Sequence, residues 1–123
     1  MASLEGWTRI THAEEVWGTV VTFDVRGEAV GEEARPAIAA AAAFLHDVDA
    51  WFSTYRADTP ITALRNGLRN LEQMPEVVQQ VLANCDYIRD LTEGVFDVWA
   101  CDGGVDPSGY VKGWAADVAA GIV

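Results

Sequence analysis

TEGVFDVWACDGGVDPSGYVKGWAAD, running from Thr92 to Asp117, gathers four aspartates (Asp97, Asp102, Asp106, Asp117), five glycines and Lys112, the single lysine of the chain. The other seven basic residues are arginines, so a lysine set between Gly109 and Gly113 stands out from ordinary surface charge. Glycines let a backbone approach a ligand closely and take positive φ. Aspartates in loops accept from hydroxyl or amine donors, or hold a hard cation. A lone ammonium among carboxylates suits a phosphate or an ion pair. The same text also reads as turn chemistry, since DGG and DPSG are common loop formers. Residue types alone therefore leave a ligand site and a plain loop both open. The spacing does exclude a P-loop, a dinucleotide-binding glycine fingerprint and an EF-hand.

Working outward, Pro75-Glu76 to Gly94 predicts a helix, with proline in the first turn, an acid near the start and glycine past the end. Val78, Leu82, Cys85, Ile88 (or Tyr87) and Leu91 form its expected apolar stripe. Tyr110 to Val123 predicts another, with Trp114, Val118 and Ile122 at i, i+4, i+8. An earlier helix is expected from about Glu33 to Ser53. Pro36 is tolerable only in its first turn, and Ile38, Ala41, Leu45, Val48 and Phe52 repeat at helical spacing. The alanines around them would admit a close neighbour. Residues 7–12 and 16–25 predict two strands, Thr19, Val21 and Phe23 facing one way and Val20, Thr22 and Asp24 the other. Gly18 then interrupts the second strand near its start. His12 falls in the intervening turn as an exposed residue, and His46 lies on a helix flank with no role assigned. The fold class is α+β, an N-terminal β-hairpin followed by long helices.

The chain of 123 residues is one domain or part of one. Its net charge of −11 repels phosphate backbones and anionic bilayers, which argues against nucleic acid or membrane-surface partners. The longest apolar run, Ala37 to Leu45, is too short for a membrane span. Cys85 and Cys101 fit no metal spacing and no CxxC pattern, so both are expected as free thiols. The N-terminus, MASLEGWTRI, lacks a basic region, an apolar core and a lipid-attachment cysteine. As written the chain reads as cytoplasmic, with an exported parent left open.

The order of residues says more than their types. Thr92-x-Gly94-x-Phe96-Asp97, then Asp106-x-x-Gly109-x-x-Lys112-Gly113-Trp114-x-x-Asp117, resembles the FAD:protein FMN transferase family, the ApbE-type flavin transferases. That family carries a TGGAFDP-like motif followed by a DxGGIAKGYAVD-like motif. Trp17-Gly18-Thr19 is similar to its MGT segment, and Phe52-Ser53-Thr54-Tyr55-Arg56 to its SxY segment. The resemblance runs from about Glu15 to Asp117. It departs at Trp17 (family Met), at Val98 (family Pro), and at Thr59-Pro60-Ile61 with Arg65-Asn66, where the family has an SExxxxN-like pattern.

By this resemblance, Trp17, Tyr55, Val95, Phe96, Asp97, Asp106 and Lys112 would contact FAD, and the Gly109 carbonyl would contribute to Mg²⁺. The implied reaction is Mg²⁺-dependent transfer of FMN from FAD to a threonine of an acceptor flavoprotein. The family's later motifs are absent, so the chain is expected to be the N-terminal part of one flavin transferase domain, truncated at its C-terminus. Its catalytic residues are then expected beyond Val123, residues 1–123 should be inactive alone, and an apolar last helix should favour pairing in a homo-oligomer. An FAD-binding protein without transferase activity and an acidic interaction domain are the alternatives.

Overall fold

The computed structural model describes residues 7–28 and 30–123. It has an antiparallel hairpin followed by helices, an α+β arrangement as expected. The chain divides into two compact units, Met1–Asp47 with Ala116–Val123, and Val48–Ala115.

In the first unit, strands β1 (Trp7–Val16) and β2 (Thr19–Glu28) pair from Val16↔Thr19 to Trp7↔Glu28. The turn is therefore Trp17-Gly18, and His12 lies within β1 rather than in a turn. The polar run Thr11 to Glu15 resembles a loop in composition, yet its alternation places Ile10, His12, Glu14 and Val16 on one face, with Ile10 and Val16 buried. Gly18 is the turn itself and not an interruption of β2. Both turn residues have positive φ, Trp17 at 59° and Gly18 at 69°. This is what a two-residue hairpin loop needs if its twist is to match the strands. On β2, Val21, Phe23 and Val25 are half-buried while Val20, Thr22 and Asp24 are exposed, which is the expected alternation. On the outer face Asp24 receives bonds from Arg9 (3.1 Å) and Arg26 (3.0 and 3.1 Å). Those bonds, Arg26's foremost, hold its carboxyl below the usual range.

Helix α1 (Ala34–Phe52) follows the expected bounds closely. Its stripe of Ile38, Ala41, Leu45, Val48 and Phe52 is buried as anticipated, and Ala42 joins it. Up to Asp47 it belongs to the hairpin unit. There the Trp17 indole donates to the Leu45 carbonyl at 3.1 Å. Glu14 stands between two imidazoles, with His12 Nε2 at 2.7 Å from one carboxylate oxygen and His46 Nε2 at 2.6 Å from the other. His46 thus acquires a partner that sequence reading had not assigned.

The second unit is helical. Helix α2 (Pro60–Arg65) is short and begins with Thr59, whose hydroxyl accepts from Thr62 N at 3.2 Å and donates to Ser53 O at 2.6 Å. A 3₁₀ turn at Leu71–Gln73 leads to α3 (Glu76–Leu91), and a second at Val98–Ala100 precedes α4 (Ser108–Ile122). On α3 the buried line is Val78, Val81, Leu82 and Cys85, while Tyr87 and Leu91 are exposed. Burial pushes the Cys85 thiol up to about 11, helped by the charge of Asp86, so it stays protonated. On α4 the buried line is Val111, Ala115 and Ala119, not Trp114, Val118 and Ile122. Small side chains allow a backbone to approach, and the larger ones take the flanks: Trp114 and Val118 are half-buried and Ile122 is 39% exposed. Trp114 meets Phe52 edge-on, with ring centroids 6.0 Å apart. Among the described residues no helix is long and apolar enough to cross a membrane.

The Glu14 cluster yields a test with a definite sign. Hydrogen bonds from His46 and then His12 hold the Glu14 carboxyl below its ordinary range. A carboxyl whose folded pKa is depressed adds stability above its unfolded pKa and loses it as pH falls through the folded value. Glu14→Gln should therefore lower the thermal midpoint at about pH 6, and its gap to the wild type should close by about pH 3. A gap that is constant across this range would show that the link carries no stability.

Candidate functional site

The site expected from the sequence is the connection between α3 and α4, and its local chemistry explains its path. Helix α3 ends where Glu93 (φ 55°) and Gly94 (φ 85°) turn left-handed, with Gly94 N bonded to Arg89 O at 2.9 Å. Two consecutive left-handed residues stop a helix and release the chain in a new direction. Thr92 Oγ1 donates back to Ile88 O (2.9 Å) and accepts from Phe96 N (3.0 Å). The threonine of the first motif thus ties the loop to the end of the helix.

Asp97 and Asp106 play matching parts at the two ends of the stretch between Phe96 and α4. Asp97 Oδ1 accepts from Trp99 N at 3.0 Å and starts the 3₁₀ turn. Val98 is buried, and its carbonyl takes Asp106 N at 2.9 Å, closing the loop. Asp106 Oδ1 then accepts from Ser108 N (3.0 Å) and Ser108 Oγ (2.5 Å) at the start of α4. Each carboxylate is committed through Oδ1, and no bond is made by Oδ2 of either among the described residues. The Trp99 indole is anchored separately on Asp86 at 2.7 Å.

Several predicted residues converge here. The Phe96 ring lies against Gly109, where an added Cβ would sit 3.8 Å from Cε2. Gly109, Lys112 and Gly113 are exposed on one face of α4, at the three- and four-residue spacing that aligns side chains on a helix. Lys112 makes no ion pair or hydrogen bond among the described residues. Val95 is 90% exposed beside Phe96. Tyr55 lies in a different loop, fully exposed and without a hydrogen bond or ring contact among the described residues. Trp17 belongs to the hairpin unit, where it occupies the turn.

A Mg²⁺ ion requires near-octahedral oxygen coordination. Helical register pairs the Gly109 carbonyl with the Gly113 amide, which leaves one lone pair for a cation. Among the described residues no three His, Cys, Asp or Glu side chains converge on a metal position. The described residues therefore do not form a Mg²⁺ cage by themselves, and Gly109 offers at most one oxygen.

Sequence reading missed Arg65. It stands where the SExxxxN-like pattern puts its asparagine, and that displaced match was the available signal. Its guanidinium reaches the carbonyls of Gly104 (3.3 Å), Val105 (2.8 Å) and Asp102 (3.4 Å).

A model of the ApbE family matches residues 17–102. That is more than half of the sequence, and the chain belongs to this family. The matched span holds Trp17, Tyr55, Val95, Phe96 and Asp97, while Asp106, Gly109 and Lys112 lie beyond it. No curated relative and no solved structure matches the chain.

The capping role of Asp106 is open to test by substitution. Asp106→Ala removes the acceptor for Ser108 N and should cost about 1 kcal/mol in urea unfolding. Asp106→Asn keeps an acceptor and should stay within about 0.5 kcal/mol of wild type. Equal losses in the two variants would mean that the charge, and not the cap, stabilises the start of α4.

Proposed function

We propose that the protein carrying this sequence transfers FMN from FAD to a threonine of an acceptor flavoprotein, and that residues 55–112 supply contacts to FAD. The observation that carries this reading is membership of the ApbE family over residues 17–102. The geometry of the α3–α4 connection supports it, because Phe96 lies against Gly109 of the second motif, Asp97 and Asp106 anchor the two ends of the loop, and Lys112 is unpaired on the exposed face of α4 among the described residues.

In this reading the threonine hydroxyl oxygen attacks the FMN-side phosphorus of FAD. A phosphoester to threonine forms, the pyrophosphate P–O bond breaks, AMP leaves and the hydroxyl proton is released. Lys112 has no competing carboxylate partner, so its ammonium is available to a phosphate oxygen, where it would stabilise charge. The free oxygens of Asp97 and Asp106 would accept from hydroxyl or ring N–H groups of the dinucleotide. Phe96 and the exposed Tyr55 offer aromatic faces to a flavin or adenine ring. Mg²⁺ would accompany FAD in this reading, and the Gly109 carbonyl would offer it one oxygen.

Incubating the whole protein with FAD, Mg²⁺ and a threonine-bearing acceptor should give an acceptor band that fluoresces as flavin on a denaturing gel. FAD binding without such a band would favour a binding protein of the same family, and absence of both would overturn the reading. Lys112→Ala should weaken FAD binding about tenfold or more, the usual loss for one charge-assisted contact. An unchanged FAD titration would remove Lys112 from the site.

A further inference from the structure

Arg65 differs from most arginines of the chain in what it binds. Arg9, Arg26, Arg35, Arg56 and Arg89 all pair with carboxylates. Arg65 instead directs its guanidinium at three backbone carbonyls, on Asp102, Gly104 and Val105. These acceptors lie 37 to 40 residues further along the chain. Tertiary folding, and not local sequence, brings them together.

The loop is shaped to this guanidinium. Gly103 has φ 82°, and a Cβ there would lie 2.7 Å from Arg65 Nη2. Gly104 has φ 114°, and a Cβ there would come 3.4 Å from the Arg65 carbonyl oxygen. Side chain and backbone of Arg65 therefore both define where residues 102–105 can pass, and two adjacent glycines are what admit it. A planar guanidinium presents several N–H groups in a fixed fork and can meet more than one carbonyl at once. A lysine would offer a point charge to the same group of acceptors. Directly after this segment, Asp106 N bonds to Val98 O and the Asp106 carboxylate caps Ser108.

We propose that Arg65 is a positioning residue for the FAD site: it clamps residues 102–105 so that Asp106 and the first turn of α4 are held in ligand-ready geometry. It acts through the loop and does not itself touch the dinucleotide. The flavin part of this proposal rests on the reading given under Proposed function, whereas the clamp stands on the contacts alone.

Two measurements on Arg65→Gln and Arg65→Lys test it. Amide exchange in the unliganded protein should accelerate about tenfold or more at Gly104 and Asp106 in Arg65→Gln, while Val81 and Leu82 in α3 keep their protection. FAD titration should show the dissociation constant raised about tenfold in Arg65→Gln, and by less in Arg65→Lys, which can still reach one carbonyl. Unchanged exchange in the loop overturns the clamp. Exchange that rises equally in α3 overturns a local positioning role and makes Arg65 a general stabiliser. A loosened loop with an unchanged FAD constant overturns the link to the ligand. If wild type does not bind FAD, the flavin reading fails together with that link, and the exchange data still decide the clamp.

Discussion

Between α3 and α4 the chain crosses residues 92–107 with only a three-residue 3₁₀ turn of its own, so its backbone groups must find partners one at a time. A buried amide or carbonyl left without one costs about 1–3 kcal/mol, and this constraint orders the whole segment. Thr92 closes the end of α3, Asp97 starts the 3₁₀ turn, Val98 O receives Asp106 N, and Asp106 caps α4. Arg65 takes the carbonyls that remain on Asp102, Gly104 and Val105. Nearly every polar residue of the two family-like motifs in this loop therefore has a structural task. A capped carboxylate is held still with one oxygen committed and the other available, which is the condition a preorganised binding site needs.

The hairpin unit follows from a different constraint. A two-residue turn sets the register for all ten pairs of the strands, and that register puts Ile10, His12, Glu14 and Val16 on one face. Trp17 takes a left-handed conformation that costs a non-glycine residue about 1 kcal/mol or more. Its indole bond to Leu45 O offsets part of that cost and fastens the turn to α1. Glu14 fastens the same strand to His46, the next residue along that helix. The residue at the family's MGT position is thus the strained member of the turn.

Charge is arranged so that most cations are already engaged. Asp24 holds Arg9 and Arg26, while Asp49 and Asp58 hold Arg56. The paired Asp58 carboxyl, like that of Asp24, is kept below its usual range chiefly by its arginine's hydrogen bonds. Lys112, like Arg69, has no carboxylate partner among the described residues. In a chain of net charge −11, an unengaged ammonium is a local exception to a field that repels anions.

The sequence by itself determined the three long helices, the stripe of α1 and, in Val78, Leu82 and Cys85, part of that of α3, since apolar spacing, Pro36, Pro75 and Gly94 are local signals. It also determined the family, through Thr92 to Asp97 and the segments before them. It did not locate the hairpin turn. Polar composition around His12 suggested a loop, and only pairing with β2 shows that Thr11 to Glu15 continue a strand. Nor did it distinguish Val111, Ala115 and Ala119 from Trp114, Val118 and Ile122 as the buried line of α4. Both sets are apolar at helical spacing, and which one is covered depends on how closely a neighbour can approach. The contacts of Arg65 and Glu14 were not legible for the same physical reason. Their partners are backbone carbonyls and imidazoles, most of them distant in sequence, and a one-dimensional pattern holds no record of which groups the fold will bring within hydrogen-bonding reach.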